Sequence, residues 1–197
     1  FFIRFKNYLF IRSRNISFRF DLPKKKKILI YDELSSIILK ELHIKNFNTF
    51  KVRNIEIYFW IFIKQAFFFD FKLRTYCKNF IKFTSPKIVL TFIDNNIHFY
   101  ELKNDFEKIK FISIQNGLRK INWFKNQQRL AKNKNLKCDY FFVYNQFYEN
   151  EFKKFINSKY HILGNFKNNS VSISNNKNQK NFLYLSSFRN NNQERKK

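Results

Sequence analysis

The 197 residues suffice for one domain of ordinary size, or one domain with a fragment of a second. They include 39 Lys and Arg against 14 Asp and Glu, a net charge of +25, with 29 Phe but only 2 Gly, 2 Pro and no Met. Abundant Phe, Lys, Asn, Ile and Tyr beside scarce Gly, Pro and Ala is the signature of AT-rich coding. The charge alone therefore does not assign a polyanion partner, and this bias is compatible with a basic surface drawn to anionic lipid.

The chain opens on FFIRFKNYLFIRSR, where basic residues interrupt the aromatic ones too often for the apolar core of a signal peptide. With no Met, the chain reads as a fragment or a processed product. Residues 1–23 form a basic-aromatic lead-in ending at Pro23. A regular alternation follows. KKILIYD (26–32) is a short β-branched run ending in an acid, as expected of a strand covered on both faces. Ser35 and Ser36 offer caps for a helix reaching about His43, and NTFKVRN (48–54) reads as a second strand. IYFWIFIKQAFFF (57–69) reads as a helix. With Lys64 inside and only 13 residues, it falls short of the roughly 20 that span a bilayer. It fits a buried helix or one lying on a membrane surface. Another helix covers 72–83 and stops before Pro86.

KIVLTFI (87–93) is the clearest strand, followed by Asp94, Asn95 and Asn96, all good helix caps. Phe99, Leu102 and Phe106 then recur at helical spacing. IKFISI (109–114) is the next strand and runs into Gln115-Asn116-Gly117 and Arg119. Residues 119–137 read only as a polar, basic stretch. DYFFVY (139–144) is strand-like, Tyr148, Phe152, Phe155 and Ile156 share a helical face, and YHIL (160–163) closes the series at Gly164. Strand–helix alternation with crossovers too long for hairpins implies an α/β fold, a parallel sheet with helices on both faces. The domain so defined spans 24–166. Residues 167–180 are an Asn-rich linker, and 181–197 read as the truncated start of a second domain.

In open parallel sheets, ligands bind at the carboxyl ends of the strands. Polar residues mark three such ends here: Asp32-Glu33, Asp94-Asn95-Asn96, and Gln115-Asn116-Gly117 with Arg119. For Gly117 the plain reading is a turn needing a positive φ. The sharper reading is a tight turn whose amide and guanidinium donors meet ligand hydroxyl or phosphate oxygens. His98 follows the turn at Asp94, Asn95 and Asn96 and is a weaker candidate for the crevice. No nucleotide-loop, nucleophile-elbow or zinc motif is present. Cys77 and Cys138 lack metal-ligand spacing and read as free thiols, so no metal is assigned.

The order KKKILIYD, PKIVLTFIDNN, HFYELK, IKFISIQNGLR, CDYFFVYNQFYENEF, YHILGNFKNN and NFLYLSSFR resembles the N-terminal half of bacterial surface-carbohydrate (polysaccharide) biosynthesis glycosyltransferases of the GT-B type, over roughly residues 26–189. The resemblance implies a Rossmann-like domain carrying the acceptor side of a two-domain cleft. The nucleotide-sugar donor would be held mainly by a C-terminal domain, with no other cofactor. The acceptor would be a glycan or lipid-linked molecule, and the enzyme would work in the cytoplasm, peripherally on the inner face of the plasma membrane. It implies substrate contacts at Asn95, Asn96, Gln115, Asn116, Gly117 and Arg119, with Asp94 as candidate catalytic base. One departure limits the carry-over. Related glycerophosphotransferases have a Trp-His-Gly turn where Asn116 stands here, and an amide does not exchange protons as imidazole does. The alternative class is a basic nucleic-acid-binding module. It is disfavoured because basic residues are spread along the whole chain rather than gathered beside stacking aromatics.

Overall fold

The computed structural model describes residues 17–32, 43–51, 56–67, 70 and 72–165. Its centre is a six-stranded sheet, parallel throughout, of β2 (Ile28–Tyr31), β3 (Phe47–Phe50), β5 (Ile88–Thr91), β6 (Lys110–Ile114), β7 (Lys137–Val143) and β8 (Asn157–Ile162), in the order β3-β2-β5-β6-β7-β8. A separate parallel pair joins β1 (Ser17–Arg19) to β4 (Glu56–Tyr58). The helices are α1 (Phe59–Phe67), α2 (Leu73–Thr84), α3 (Ile97–Leu102), α4 (Ile121–Ala131) and α5 (Gln146–Lys153). This is the expected α/β architecture, a parallel sheet flanked by helices in the Rossmann-like manner. From β2 the chain moves outward to β3, whereas from β5 it steps the other way through β6, β7 and β8. The order therefore reverses between β2 and β5, where such sheets form their ligand crevice.

Alternation along the strands decides what each face buries. Leu29, Tyr31, Val89, Phe111, Phe141 and Val143 point into the larger core with Phe80 of α2, Phe99 of α3, Phe124 of α4 and Phe152 of α5. Ile30, Leu90 and Ile114, one residue out of phase, form a smaller cluster on the opposite face with Phe92. Aromatic residues do most of this filling. Phe141, for example, lies 4.6 Å from Phe152 and 5.5 Å from Tyr160 between ring centroids.

Three expectations change. The second strand is Phe47–Phe50 rather than 48–54, with residues 52–55 outside the described set. The helix expected over 57–69 gives up its first two residues to strand β4, because Ile57 and Tyr58 pair with Phe18 and Arg19 from the lead-in. The stretch 119–137 contains a full helix, α4. Its apolar stripe is thin, with only Phe124 and Ala131 buried, and this hides its period in the sequence. The helix expected from Ser35 and the segments beyond 165 lie outside the described residues. Cys77 and Cys138 are both buried and free.

Candidate functional site

The turn after β5 is fixed by its own hydrogen bonds. Thr91 Oγ1 donates to the Tyr31 carbonyl across the β2–β5 boundary and accepts from the Ile93 amide at 3.1 Å. The Tyr100 hydroxyl, buried in α3, donates to the Asp94 carbonyl at 2.9 Å and lies 2.9 Å from Ser113 Oγ on β6. Asn96 caps α3 by accepting from the His98 amide. These contacts hold the Asp94 backbone between two strand ends and turn its side chain inward.

Asp94 is 1% exposed. Its Oδ1 accepts from Arg119 Nη2 at 2.7 Å and from the Asn116 amide at 3.3 Å. Its other oxygen, Oδ2, is buried without a hydrogen-bond partner among the described residues, and so is Arg119 Nε. The guanidinium thus meets the carboxylate through Oδ1 alone, and Oδ2 and Nε are each left unsatisfied. Burial pushes the Asp94 carboxyl up to about 6, against the pull of Arg119 and the Asn116 amide. Near neutral pH it is an ionised carboxylate with a basicity suited to accepting a proton.

Arg119 is held from several sides. Its amide donates to the Tyr148 hydroxyl at 3.2 Å, Nη1 donates to the Leu118 carbonyl, and its guanidinium lies 5.3 Å from the Trp123 ring centroid. Gly117 is what makes room. It does not adopt the left-handed backbone anticipated for it, a conformation that Gly164 does adopt at φ 73°. A Cβ on Gly117 would instead stand 3.0 Å from Arg119 Nη1. The glycine is there for close approach, letting the guanidinium fold back toward Asp94.

Gln115 is fully buried and spends both ends of its amide internally. Nε2 donates to the Gly117 carbonyl at 2.9 Å and Oε1 accepts from the Tyr144 amide at 3.0 Å, tying the β6 and β7 ends together. Asn116 and Gly117 are half-buried beside the pair, and Asn95 is exposed at the turn's outer side. His98 is exposed and bonded to Glu101 at 3.1 Å, so α3 occupies it. Asp32 ends β2 buried at φ 68°, an uncommon backbone for a residue with a side chain, next to the point of order reversal.

Sequence reasoning overlooked Tyr144 and Trp123. Tyr144 is half-buried, and burial and the nearby Asp94 charge both raise its hydroxyl pKa. The signal for Tyr144 was its position as the last residue of DYFFVY, a strand end like those of Asp94 and Gln115. Trp123 gave no such signal, because its helix was not visible. Among the described residues no group of three or more His, Cys, Asp or Glu could hold a metal ion.

A family model described as "putative O-antigen biosynthesis protein" matches residues 112–197. The match supports a role in surface-polysaccharide biosynthesis. It takes in Gln115, Asn116, Gly117 and Arg119 and begins after Asp94. No curated protein and no solved structure matches the chain.

Proposed function

We propose that the chain forms the acceptor-side half of a glycosyltransferase-like enzyme of cell-surface polysaccharide biosynthesis. The enzyme moves a sugar from a nucleotide-activated donor to a hydroxyl of a glycan or lipid-linked acceptor. The observation that carries this reading is the unsatisfied part of the Asp94–Arg119 pair. Oδ2 needs a donor and Nε–H needs an acceptor, both in a buried place at a strand end. A single alcohol hydroxyl is both at once. Its O–H donates to Asp94 Oδ2 while its oxygen accepts from Arg119 Nε.

The same arrangement supports the chemistry. As the acceptor oxygen bonds the anomeric carbon of the donor sugar, its proton passes to Asp94 Oδ2. The bond from that carbon to the donor phosphate breaks, and the nucleotide leaves with the electron pair. Arg119 keeps the acceptor oxygen aimed, and Trp123 and the Tyr148 hydroxyl keep Arg119 aimed. Asn95, Asn96, Asn116 and Gly117 line the acceptor face, while Gln115 acts through the shape of the turn.

The test supplies the full-length product of the gene that encodes this chain, expressed in its own host, with radiolabelled nucleotide sugars of several kinds and with envelope membranes from a strain lacking the gene. The expected result is label from at least one donor in the glycan or glycolipid fraction. Absence of transfer from every donor, together with RNA or DNA binding that survives physiological salt, would replace this reading with a nucleic-acid module.

A further inference from the structure

Helix α1 is apolar on two sides, with Phe62 packed against the core. Its inward positions are Ile61 and Gln65, 4% and 3% exposed, and Gln65 Nε2 donates to the Lys72 carbonyl at 3.0 Å. Its outward positions are Trp60, Ile63 and Phe67, exposed by 56%, 43% and 78%. Trp60 and Ile63 are three residues apart, and Phe67 follows four later, so they form one continuous face. A helix stabilised only by its own core would carry polar residues at these outward positions.

The neighbouring β1 segment extends the same surface. Trp60 Nε1 donates to the Phe20 carbonyl at 3.0 Å, and the Phe20 ring lies 5.2 Å from Phe59. Phe18 and Phe20 are themselves 50% and 69% exposed. Cations follow the patch along the chain. Lys64 is exposed within α1, and Lys24, Lys25 and Lys27 are exposed just beyond Leu22, with Lys25 Nζ 5.5 Å from the Phe83 ring of α2. The nearby acids are already engaged, Asp21 by Arg19 at 2.8 Å and Glu56 by Lys51 at 2.8 Å.

We infer that this α1–β1 face docks on an anionic phospholipid bilayer, with Trp60, Ile63, Phe18 and Phe20 entering the headgroup–acyl boundary and the lysines meeting lipid phosphates. Charge decides the occupant. A second copy would bring the same lysines against each other. Residues 1–16 carry four cations and no acid, so they too would be repelled. An anionic membrane satisfies the apolar and the basic parts together. Among the described residues no helix is long and apolar enough to cross a membrane, so the contact proposed is with its surface. The inference does not depend on the transfer reading, and its test involves no catalysis.

The experiment is co-sedimentation of the full chain with extruded vesicles of phosphatidylcholine, with and without phosphatidylglycerol. The wild-type chain is expected to bind the anionic vesicles and to leave pure phosphatidylcholine largely alone. Trp60→Ser with Ile63→Ser should weaken partitioning by about tenfold or more, as should Lys24→Gln, Lys25→Gln and Lys27→Gln together. These positions are exposed, and an unchanged melting curve confirms that each variant is folded. In a Trp123→Phe background, brominated lipid should quench the Trp60 fluorescence. The inference fails if the folded variants bind like wild type, or if the wild-type chain ignores anionic vesicles. It fails equally if Trp60→Ser with Ile63→Ser abolishes a dimer in sedimentation velocity while vesicle binding is absent.

Discussion

The sheet carries a cation–carboxylate pair at each end, each with one buried partner, and the two are built differently. At the amino end, Lys103 Nζ donates to the Phe106, Glu107 and Ile109 carbonyls and lies 2.9 Å from Asp139, whose oxygens also accept from the Phe111 amide and Lys110. Burial would raise the Asp139 carboxyl, but these donors outweigh it and hold the group below the ordinary carboxylate value. At the carboxyl end, Asp94 faces Arg119 with one oxygen and one guanidinium nitrogen left over, and burial wins. A saturated pair ties loops to strands. An unsaturated one retains a donor and an acceptor for something else, which is what a binding site requires.

The comparison breaks most severely at Asp139. Replacing it with Ala leaves Lys103 buried beside carbonyls alone, and urea unfolding should show a loss of about 4 kcal/mol. If the amino-end pair were also a ligand site, transfer would fall in that variant beyond what unfolding explains. The next largest effect is in pH, where the two carboxyls have opposite signs. Asp94 binds its proton more tightly folded than unfolded, so its contribution is full below about pH 4 and is lost as pH rises through about 6. The stability difference between wild type and Asp94→Asn should therefore fall by up to about 3 kcal/mol across that window. Asp139 is lowered, so its contribution is present above the unfolded carboxylate value and is lost as pH falls through its folded value. Unfolding curves of Asp139→Asn measured below about pH 4 should differ from wild type in the reverse sense.

Smaller effects sharpen the carboxyl end. Arg119→Lys keeps the charge but loses the fork and the stacking on Trp123, and should cut transfer by about tenfold while barely moving the melting temperature. Gly117→Ala presses on a flexible guanidinium, so a loss of about threefold in transfer and below about 0.5 kcal/mol in stability is expected. Gly164→Ala serves as its control. It meets no neighbouring atom but suffers the left-handed backbone, so it should cost about 1 kcal/mol of stability and leave the Asp94 pair untouched.

Much of the scaffold was legible because it rests on local rules. The run IVLT could only be a covered strand. Asn96 capped the helix as its side chain suggested, and Phe99, Leu102 and Phe106 are all buried. Element β4 was lost because its partner is 39 residues away, and α4 because most of its surface is polar. For the site, strand ends pointed to Asp94, Gln115 and Arg119, but their roles were not readable. The Arg119 contact with Asp94 spans 25 residues and depends on β5 and β6 being neighbours. Gly117 was understood as a backbone requirement, whereas its cause is a side chain two positions on. That contact exists only once the guanidinium folds back.

The central claim is that the open Asp94 oxygen serves chemistry rather than stability. Its most direct test is a strain lacking this gene, complemented with wild-type or Asp94→Asn protein, with envelope polysaccharide resolved on a gel. The substituted carboxamide would keep an oxygen for Arg119 and the Asn116 amide, so the variant should melt within a few degrees of wild type at neutral pH yet restore no polysaccharide. Restoration at the wild-type level, or a loss matched by unfolding, would contradict the account.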